Sequence, residues 1–379
     1  MAVRLPVLGA TTCAIQVPTM GVEEEFFLVD ADSRTPVAHG PQVIADARRT
    51  LGPLVQAELY PTQIEVCSSP TLSGSDLRAE LSFLRRTLAS AAERAGCLLV
   101  ASGTPVLPGA APTKVTDTPR YRRMAERFGA VADGSGGGVC GCHVHLGTAS
   151  RAQALALANR IRPWLPMVQA LAVNSPFHAG KDSGFASWRA IQWNQWPTVG
   201  PSPVLDEAGY EQLADALVDS GMLLDRGMIY WYARPSEHVP TLEIRVADVS
   251  ADLDTTIVIA LLVRGLAAVL LAELEAGIPH TDLPTELLRA AHWRAAHDGL
   301  AGEGLDPVSG DRRPMRELVG RLLDRAEPGL AAAADAGTVR RLLDTVMARG
   351  TGATRQLHAY HRRGELRDVV DDLAQTTLS

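Results

Sequence analysis

The stretch Met20-Gly-Val-Glu-Glu-Glu-Phe-Phe-Leu-Val-Asp30 decides how the rest of the chain is interpreted. It is rich in Val, Phe and Leu and runs into the turn-like Asp30-Ala-Asp-Ser33, a pattern that predicts a strand entering a loop. Side chains two residues apart on a strand lie on the same face. Glu23 and Glu25 therefore share one face, and Glu24 points to the other as a solvent-exposed or ion-paired residue. If the phase of the strand is reversed, Glu24 is the candidate ligand instead.

Three later segments also predict strands that carry two polar residues at alternate positions. These pairs are Gln63/Glu65, His143/His145 and Glu243/Arg245. If the four strands lie in one antiparallel sheet, they build one polar face with several carboxylates, two imidazoles and a guanidinium.

So many carboxylates on one face require cations. Like charges side by side on a sheet are destabilising, and their pKa values rise unless something neutralises them. Hard divalent ions do this with oxygen ligands, and Mg²⁺ keeps open positions for phosphate oxygens. The face therefore predicts a site for Mg²⁺ and ATP, in which Arg245 stabilises a transferring phosphoryl group.

The segments between these strands predict a mixed α+β chain. A leucine pattern after Ser73 and a closing Gly96 predict a capped helix, and Cys97–Ser102 predicts a strand. A helix is expected from Ser150 and is broken at Pro163 and Pro166. The segment 174–203 is dense in Trp, Gly and Pro and is interpreted as a long functional loop covering the site. From about residue 254 a helical period dominates, within a single domain spanning residues 1–379.

The composition excludes several classes of protein. A hydrophobic fraction of 46% and a charged fraction of 21% are those of an ordinary globular chain. The net charge of −7 argues against a nucleic-acid partner. The first twenty residues lack an apolar core of a secretory signal, and the apolar stretch 257–274 is interrupted by Arg264 and Glu273, so neither secretion nor a membrane span is expected. A cytoplasmic location follows. The odd number of cysteines, five including Cys13, predicts free thiols.

Each motif also has a plainer interpretation. Glu23-Glu-Glu25 alone fits a solvated strand edge, and Glu243/Arg245 alone fits an ion pair. Tryptophans 188, 193 and 196 fit loop anchors, and glycines 134–138 fit a linker. Cys140-Gly-Cys-His-Val-His145 invites a zinc interpretation, but alternation places its cysteines on one face and its histidines on the other.

Taken together, the motifs resemble those of a known family. In chain order they are Gly21-Val-Glu-Glu-Glu-Phe26, Gln63-Ile-Glu-Val66, Cys140-Gly-Cys-His-Val-His-Leu-Gly147, Asn174-Ser-Pro-Phe177, Trp196-Pro-Thr198 and Glu243-Ile-Arg-Val-Ala-Asp248. They resemble, in kind and order, the motifs of the type 2 glutamate-cysteine ligase, or carboxylate-amine ligase, family. Arg349-Gly-Thr-Gly-Ala353 and Arg355-Gln356 extend the resemblance over nearly the whole chain.

The resemblance implies the α+β fold shared by glutamine synthetase and the guanidino kinases, a curved antiparallel sheet backed by helices with the site on its concave face. It also implies roles for individual residues. The implied metal ligands are Glu23, Glu25, Glu65, His143 and Glu243. The implied anion-binding residues are His145, near the nucleotide phosphates, Arg245 at the transferring phosphoryl group, and Arg189 and Arg234 at the substrate carboxylate or phosphates.

The activity implied by the resemblance is an ATP-dependent ligase that uses Mg²⁺ or Mn²⁺ and joins a small-molecule carboxylate to an amine through an acyl-phosphate. Glutamate and cysteine are the substrates that the family name suggests, and a homo-oligomer is expected from the superfamily. Two alternatives stay open at this point: a guanidino-type kinase of the same superfamily, and a non-catalytic regulatory homologue.

Overall fold

The computed structural model describes residues 15–109, 113–132, 134, 136–280 and 283–379. Cys13 lies outside the described residues. The strands are β1 (Met20–Asp30), β2 (Val55–Ala57), β3 (Gln63–Cys67), β4 (Cys97–Val100), β5 (Gly141–Gly147), β6 (Phe177–His178), β7 (Lys181–Asp182), β8 (Ala233–Pro235), β9 (Thr241–Asp248), β10 (Glu303–Leu305) and β11 (Arg312–Pro314). The helices are α1 (Gly40–Leu51), α2 (Gly74–Arg94), α3 (Pro119–Phe128), α4 (Arg151–Ile161), α5 (Leu165–Ala172), α6 (Trp188–Trp193), α7 (Glu207–Asp219), α8 (Leu253–Glu275), α9 (Thr285–Asp298), α10 (Met315–Ala332), α11 (Ala336–Arg349), α12 (Gly352–His361) and α13 (Leu366–Thr376).

An open antiparallel sheet organises the fold, as predicted. Its strand order is β2-β3-β1-β5-β9-β8, and β4 pairs with the C-terminal half of β1. All four strands predicted to carry polar pairs therefore lie next to one another in its centre. The register sets Glu25 opposite Glu65, Glu23 opposite His143, and His145 opposite Glu243.

The opposite face of the sheet is buried under helices. On β1, Val22, Phe26 and Leu28 are almost fully buried among the core side chains. Helix α2 packs on this layer with the predicted leucines, and Ser73 caps it by accepting a hydrogen bond from the Asp76 N–H. The helix after Ser150 also forms, and a 3₁₀ turn at 162–164 separates α4 from α5 at the predicted break.

Helix α8 (Leu253–Glu275) contains the apolar stretch 257–274 and extends beyond it at both ends. Its length and composition would allow it to cross a membrane, but 83% of its most apolar window is buried inside the fold. It contacts α2, α4, α5, α10 and α11, which is the environment of a central core helix. Its composition is therefore explained by packing within the protein.

A second, smaller hydrophobic cluster lies apart from the main core. It consists of Met124, Leu155, Tyr210, Ala214, Leu223, Met228, Ile229 and Trp231. Partly buried side chains packed against it, including Leu59, Tyr121 and Trp196, also line the cleft described below. The cluster thus supports one wall of the site. The single-domain organisation of the chain stays a prediction.

Candidate active site

A cleft with a volume of about 1530 Å³ lies over the polar face of the sheet. Its lining includes all eight polar residues of the four predicted pairs: Glu23, Glu25, Gln63, Glu65, His143, His145, Glu243 and Arg245. Strand alternation puts both side chains of each pair on one face, and the order and register of the four strands bring the pairs together.

Glu24 lies on the other face, which settles the phase of β1. Its carboxylate is fully buried and forms an ion pair with Arg85, whose Nε donates to Glu24 Oε2 at 2.9 Å. The Thr256 hydroxyl donates to the same carboxylate at 2.8 Å. Glu24 is therefore a structural ion-pair residue, which is one of the two roles expected for it, and it does not reach the cleft.

An acidic cluster forms at the β2–β3 end of the cleft. Glu25, Glu58 and Glu65 bring carboxylate oxygens within 4.8 Å of one another. Burial and the neighbouring charge of Glu25 raise the pKa of Glu58 from 4.5 to about 7. Burial, followed by the charge of Glu58, also raises the pKa of Glu65, and burial raises that of Glu25. Three carboxylates that resist ionisation together need a cation to be fully charged.

Sequence reasoning missed Glu58. The residue follows the three-residue strand β2, whose pairing with β3 sets Gln56 opposite Glu65. A short hairpin before Gln63, with Gln56 and Glu58 at alternate positions, was the available signal.

The two histidines lie beside the acidic cluster and share Glu23. Nδ1 of His143 is 3.1 Å from Glu23 Oε2, and Nε2 of His145 is 3.1 Å from Glu23 Oε1. Burial favours a raised pKa for Glu23, but the hydrogen bonds to His143 and His145 outweigh it and lower the pKa. Burial lowers the pKa of His143 to about 4, so its imidazole is neutral near pH 7. A neutral imidazole is the form that binds metal ions.

Arginines occupy the β8–β9 end of the cleft. Arg245 forms an ion pair with Glu243, and Arg234 Nε donates to the same carboxylate at 2.7 Å. Burial favours a raised pKa for Glu243, but these two charges outweigh it and hold the pKa well below 4.5. Arg234 also donates to the carbonyls of Gly227 and Ile229, so it is tied to the surrounding loop. Glu243 and Arg245 thus form the ion pair that was the plainer interpretation of this motif, and both residues line the cleft.

Arg189 reaches the cleft from the segment between Asn174 and Pro203. This segment is not one continuous loop, since it contains α6 and the β6–β7 hairpin. The guanidinium of Arg189 is 4.8 Å from the Trp193 ring centroid, and that of Arg245 is 5.4 Å from the same ring. Trp193 therefore stacks against two guanidinium groups, beyond the anchoring role expected of it. The segment lines one wall, and its role as a cover stays a prediction.

The cysteines take no part in the described clusters of metal-ligand atoms. Cys140 and Cys142 are fully buried free thiols, and burial raises their pKa values well above 9.0. Cys142 lies on the core side of β5, near Glu24 and Arg85, whereas Cys140 precedes the strand and its Sγ accepts from Gln63 Nε2 at 3.3 Å. The argument from strand alternation against a zinc site therefore holds for Cys142, but Cys140 is not placed by the alternation of β5. Cys67 lines the cleft, but burial and the neighbouring carboxylates Glu65 and Glu23 raise its pKa and suppress the thiolate.

The donor set fits a hard divalent cation. In the part of the chain that the structure describes, ligand atoms lie within 4.8 Å of one another in three groups: Glu23/Glu65/His143, Glu23/His145/Glu243 and Glu25/Glu58/Glu65. Nε2 of His143 is buried and has no hydrogen-bond partner among the described residues. Mostly carboxylate ligands with an occasional imidazole suit Mg²⁺ or Mn²⁺.

Comparison with known proteins places these features in a family. The profile of glutamate-cysteine ligase family 2 matches residues 19–372. A protein of Mycolicibacterium vanbaalenii, provisionally named glutamate–cysteine ligase 2-2, is 43% identical over 364 residues, covering 96% of this chain and 98% of its own.

Two solved structures share the fold. A bifunctional glutathione synthetase from Pasteurella multocida has a TM-score of 0.70 at 16% identity, over 96% of this chain and 53% of the other. A glutamate–cysteine ligase from Francisella tularensis, in complex with AMP, has a TM-score of 0.68 at 12% identity, over 96% and 90%.

Proposed function

The chain belongs to glutamate-cysteine ligase family 2, and we propose that it joins a carboxylate of glutamate to the amine of cysteine in the cleft over the sheet. As a member it is an ATP-dependent ligase that forms a carbon–nitrogen bond between small-molecule substrates. The choice of glutamate and cysteine rests on the names of the relatives. A homo-oligomer, a cytoplasmic location and the absence of nucleic-acid or membrane partners remain predictions.

One observation carries the proposal: the acidic cluster, Arg234 and Arg245 meet over one sheet, and Arg189 reaches the same cleft from α6. The volume of about 1530 Å³ exceeds the roughly 300–1000 Å³ typical of a pocket for one small ligand. This supports a site that holds a nucleotide and a second substrate together.

We assign the cation to the carboxylate side of the cleft. The proposed ligands are Glu23, Glu25, Glu65, His143 and Glu243, with Glu58 added from its position in the acidic cluster. When bound, Mg²⁺ or Mn²⁺ neutralises these carboxylates and polarises the phosphoryl oxygens of ATP. His145, whose Nδ1 is 2.8 Å from Thr241 Oγ1, belongs to the second group of ligand atoms, with Glu23 and Glu243, and is assigned to the nucleotide phosphates.

The arginines act on the anionic substrates. Arg245 and Arg189 stabilise the negative charge on the transferring phosphoryl group and on the substrate carboxylate, and both are held by Trp193. The Nε atoms of Arg189 and Arg245 are buried and have no hydrogen-bond partner among the described residues. Arg234 supports this end of the cleft by orienting Glu243.

The reaction balances as two displacements. A substrate carboxylate oxygen attacks the γ-phosphorus of ATP, the bond to the bridging oxygen breaks, and ADP leaves. The amine nitrogen then attacks the acyl carbon of the acyl-phosphate, inorganic phosphate leaves, and the nitrogen loses a proton. The site must exclude water, because water would hydrolyse the acyl-phosphate, and segment 174–203 is the proposed cover.

ADP release from ATP and Mg²⁺ tests the proposal directly. A panel of carboxylates that includes glutamate is tested with and without a panel of amines that includes cysteine, and products are identified by mass spectrometry. We expect amine-dependent ADP release and an amide product, lost in Arg245→Ala and kept in Arg122→Ala, which changes an exposed arginine. A phosphorylated product selects the kinase instead, and nucleotide binding without turnover selects the regulatory homologue.

A further inference from the structure

The motifs Asn174-Ser-Pro-Phe177 and Arg355-Gln356, and the last residue of Glu243-Ile-Arg-Val-Ala-Asp248, have no role in the mechanism above. Asp248 ends β9 and is buried, with 1% of its surface exposed. We infer that Asp248 is a positioning residue that holds Arg189 in the cleft through the hydroxyls of Ser175 and Ser187. The inference rests on the proposed function, because it gives Arg189 the role of binding a substrate anion.

The Asp248 carboxylate accepts three hydrogen bonds. It accepts from the Asn174 N–H at 2.8 Å, from Ser175 Oγ at 2.7 Å and from Ser187 Oγ at 2.8 Å. An ionised carboxylate only accepts, so both hydroxyls must donate their protons to Asp248. Their remaining lone pairs are then available only as acceptors.

Both hydroxyls accept from the first turn of α6. Ser175 Oγ accepts from the N–H of Arg189 at 3.1 Å, and Ser187 Oγ, the N-cap, accepts from the N–H of Ala190 at 3.2 Å. The charge on Asp248 thus sets the polarity of these two bonds. They act beside two backbone bonds at the start of the helix, from the Trp188 N–H to the Ser175 carbonyl and from the Ser187 N–H to the Ala296 carbonyl, both at 2.8 Å. Since α6 has only six residues, its own hydrogen bonds hold it weakly.

The Arg189 side chain is closely packed, but the described residues give its guanidinium few direct polar contacts. Its guanidinium is 2% exposed, its Nη2 donates to the Arg245 carbonyl at 3.4 Å, and its Nη1 is 3.9 Å from Asp248 Oδ1. Stacking on Trp193 fixes the plane of the group but not its position along the plane. The position of the α6 backbone therefore contributes to where the guanidinium lies, and the two serine hydroxyls tie that backbone to Asp248.

The same network reaches the C-terminal helices. Asn174 donates through Nδ2 to the carbonyls of Ala101 and Val249, and Gln356 Nε2 donates to the Asn174 carbonyl and side-chain oxygen at 2.8 Å each. A Cβ on Gly352 would lie 2.1 Å from Asn174 Oδ1, so only glycine permits this approach. Helix α12 thereby braces Asn174 and, through it, the Asp248 bonds.

Amide hydrogen exchange tests whether Asp248 stabilises the start of α6, and it does not require an active enzyme. In Asp248→Asn an amide replaces one acceptor oxygen with a donor, so one of the two serine hydroxyls must reverse or lose its bond. We expect amide exchange to rise about tenfold or more across Trp188–Trp193, with α5 unchanged. The matched control is Asp306→Asn, which removes an equally buried carboxylate away from the cleft. Unchanged exchange in α6, or an equal rise in the control, overturns the inference.

A double-mutant cycle of Ser187→Ala and Arg189→Lys tests whether the stabilisation of α6 affects turnover through the position of Arg189. Ser187→Ala should raise the KM for glutamate or lower kcat by about tenfold, because small displacements of positioning groups cost about that much or more. The KM for ATP should change less than about twofold. In an Arg189→Lys background the loss should nearly vanish, whereas a general structural defect would add in full. Ser150→Ala, which removes the cap of α4 away from the cleft, is the control.

The outcomes separate this inference from the proposed function. If wild type fails with glutamate and cysteine, the proposed substrates fail, and α6 exchange still decides whether Asp248 holds the helix. If wild type turns over and the Ser187→Ala loss persists in full beside Arg189→Lys, the proposed function stands and the positioning role is wrong.

Discussion

Replacing Glu58 by Gln should make the metal-free protein more stable and less dependent on Mg²⁺. Glu58 sits in the acidic cluster with Glu25 and Glu65, and its pKa is raised from 4.5 to about 7. A group whose pKa is raised by folding stabilises the fold fully below its unfolded value, and this contribution is lost as pH rises through the folded value. Metal-free wild type should therefore lose stability between about pH 5 and pH 8.

The pKa shift sets the size of the effect. At about 1.4 kcal/mol per pKa unit, the shift corresponds to roughly 3 kcal/mol, and the partial exposure of Glu58 reduces it to about 1–3 kcal/mol. The amide of glutamine has no charge, yet its oxygen still accepts the bond that the Leu59 N–H makes at 2.9 Å. Glu58→Gln should thus recover most of this free energy at about pH 8 and none at about pH 5.

Urea unfolding in EDTA and in excess Mg²⁺, at several pH values, measures the change. Wild type should gain stability from Mg²⁺ mainly at the higher pH, and Glu58→Gln should gain less. Glu126→Gln, an exposed carboxylate on α3, is the control and should follow wild type. An unchanged pH slope in Glu58→Gln, or lower metal-free stability than wild type at about pH 8, would refute the reasoning.

Three further predictions concern single residues. Glu65→Gln should abolish ADP release while the unfolding midpoint in EDTA stays at or above that of wild type; a fully active variant removes Glu65 from the metal site. Arg85→Met leaves Glu24 buried and unpaired, so unfolding in urea should show a loss of about 3–5 kcal/mol with unchanged turnover per folded molecule. Gly141→Ala places a Cβ 2.4 Å from Arg189 Nη2; steady-state kinetics should show a drop in kcat/KM of about tenfold or more, and wild-type kinetics would argue against a fixed Arg189.

The sheet and most of its polar face were predictable because strand alternation is a strict geometric rule. Once Glu23 and Glu25 share a face, the register of β1 with β3 and β5 adds Glu65 and His143 without further information. The sequence left the phase of β1 open. The buried partner of Glu24, Arg85, lies sixty-one residues away and only the fold brings the two together.

Short strands and helices, and contacts between residues far apart in the chain, were the parts that the sequence pattern could not predict. Glu58 follows a strand of three residues, so the alternation of Gln56 and Glu58 was too short to predict a strand without the hairpin that follows. Helix α6 has six residues, too short to show a helical period, so its segment was interpreted as loop although it delivers Arg189 to the cleft. Asp248 was visible in a motif, but its partners Ser175 and Ser187 are joined to it only by the tertiary fold.

The transfer of a labelled oxygen tests the central claim most directly. Glutamate labelled with ¹⁸O in its carboxylates is incubated with ATP, Mg²⁺ and cysteine, and the released phosphate is examined by mass spectrometry. An acyl-phosphate route must pass one labelled oxygen from the substrate to phosphate for each amide formed. Phosphate carrying one heavy oxygen, in step with ADP and amide, is the predicted result, whereas unlabelled phosphate alongside the amide would contradict the account.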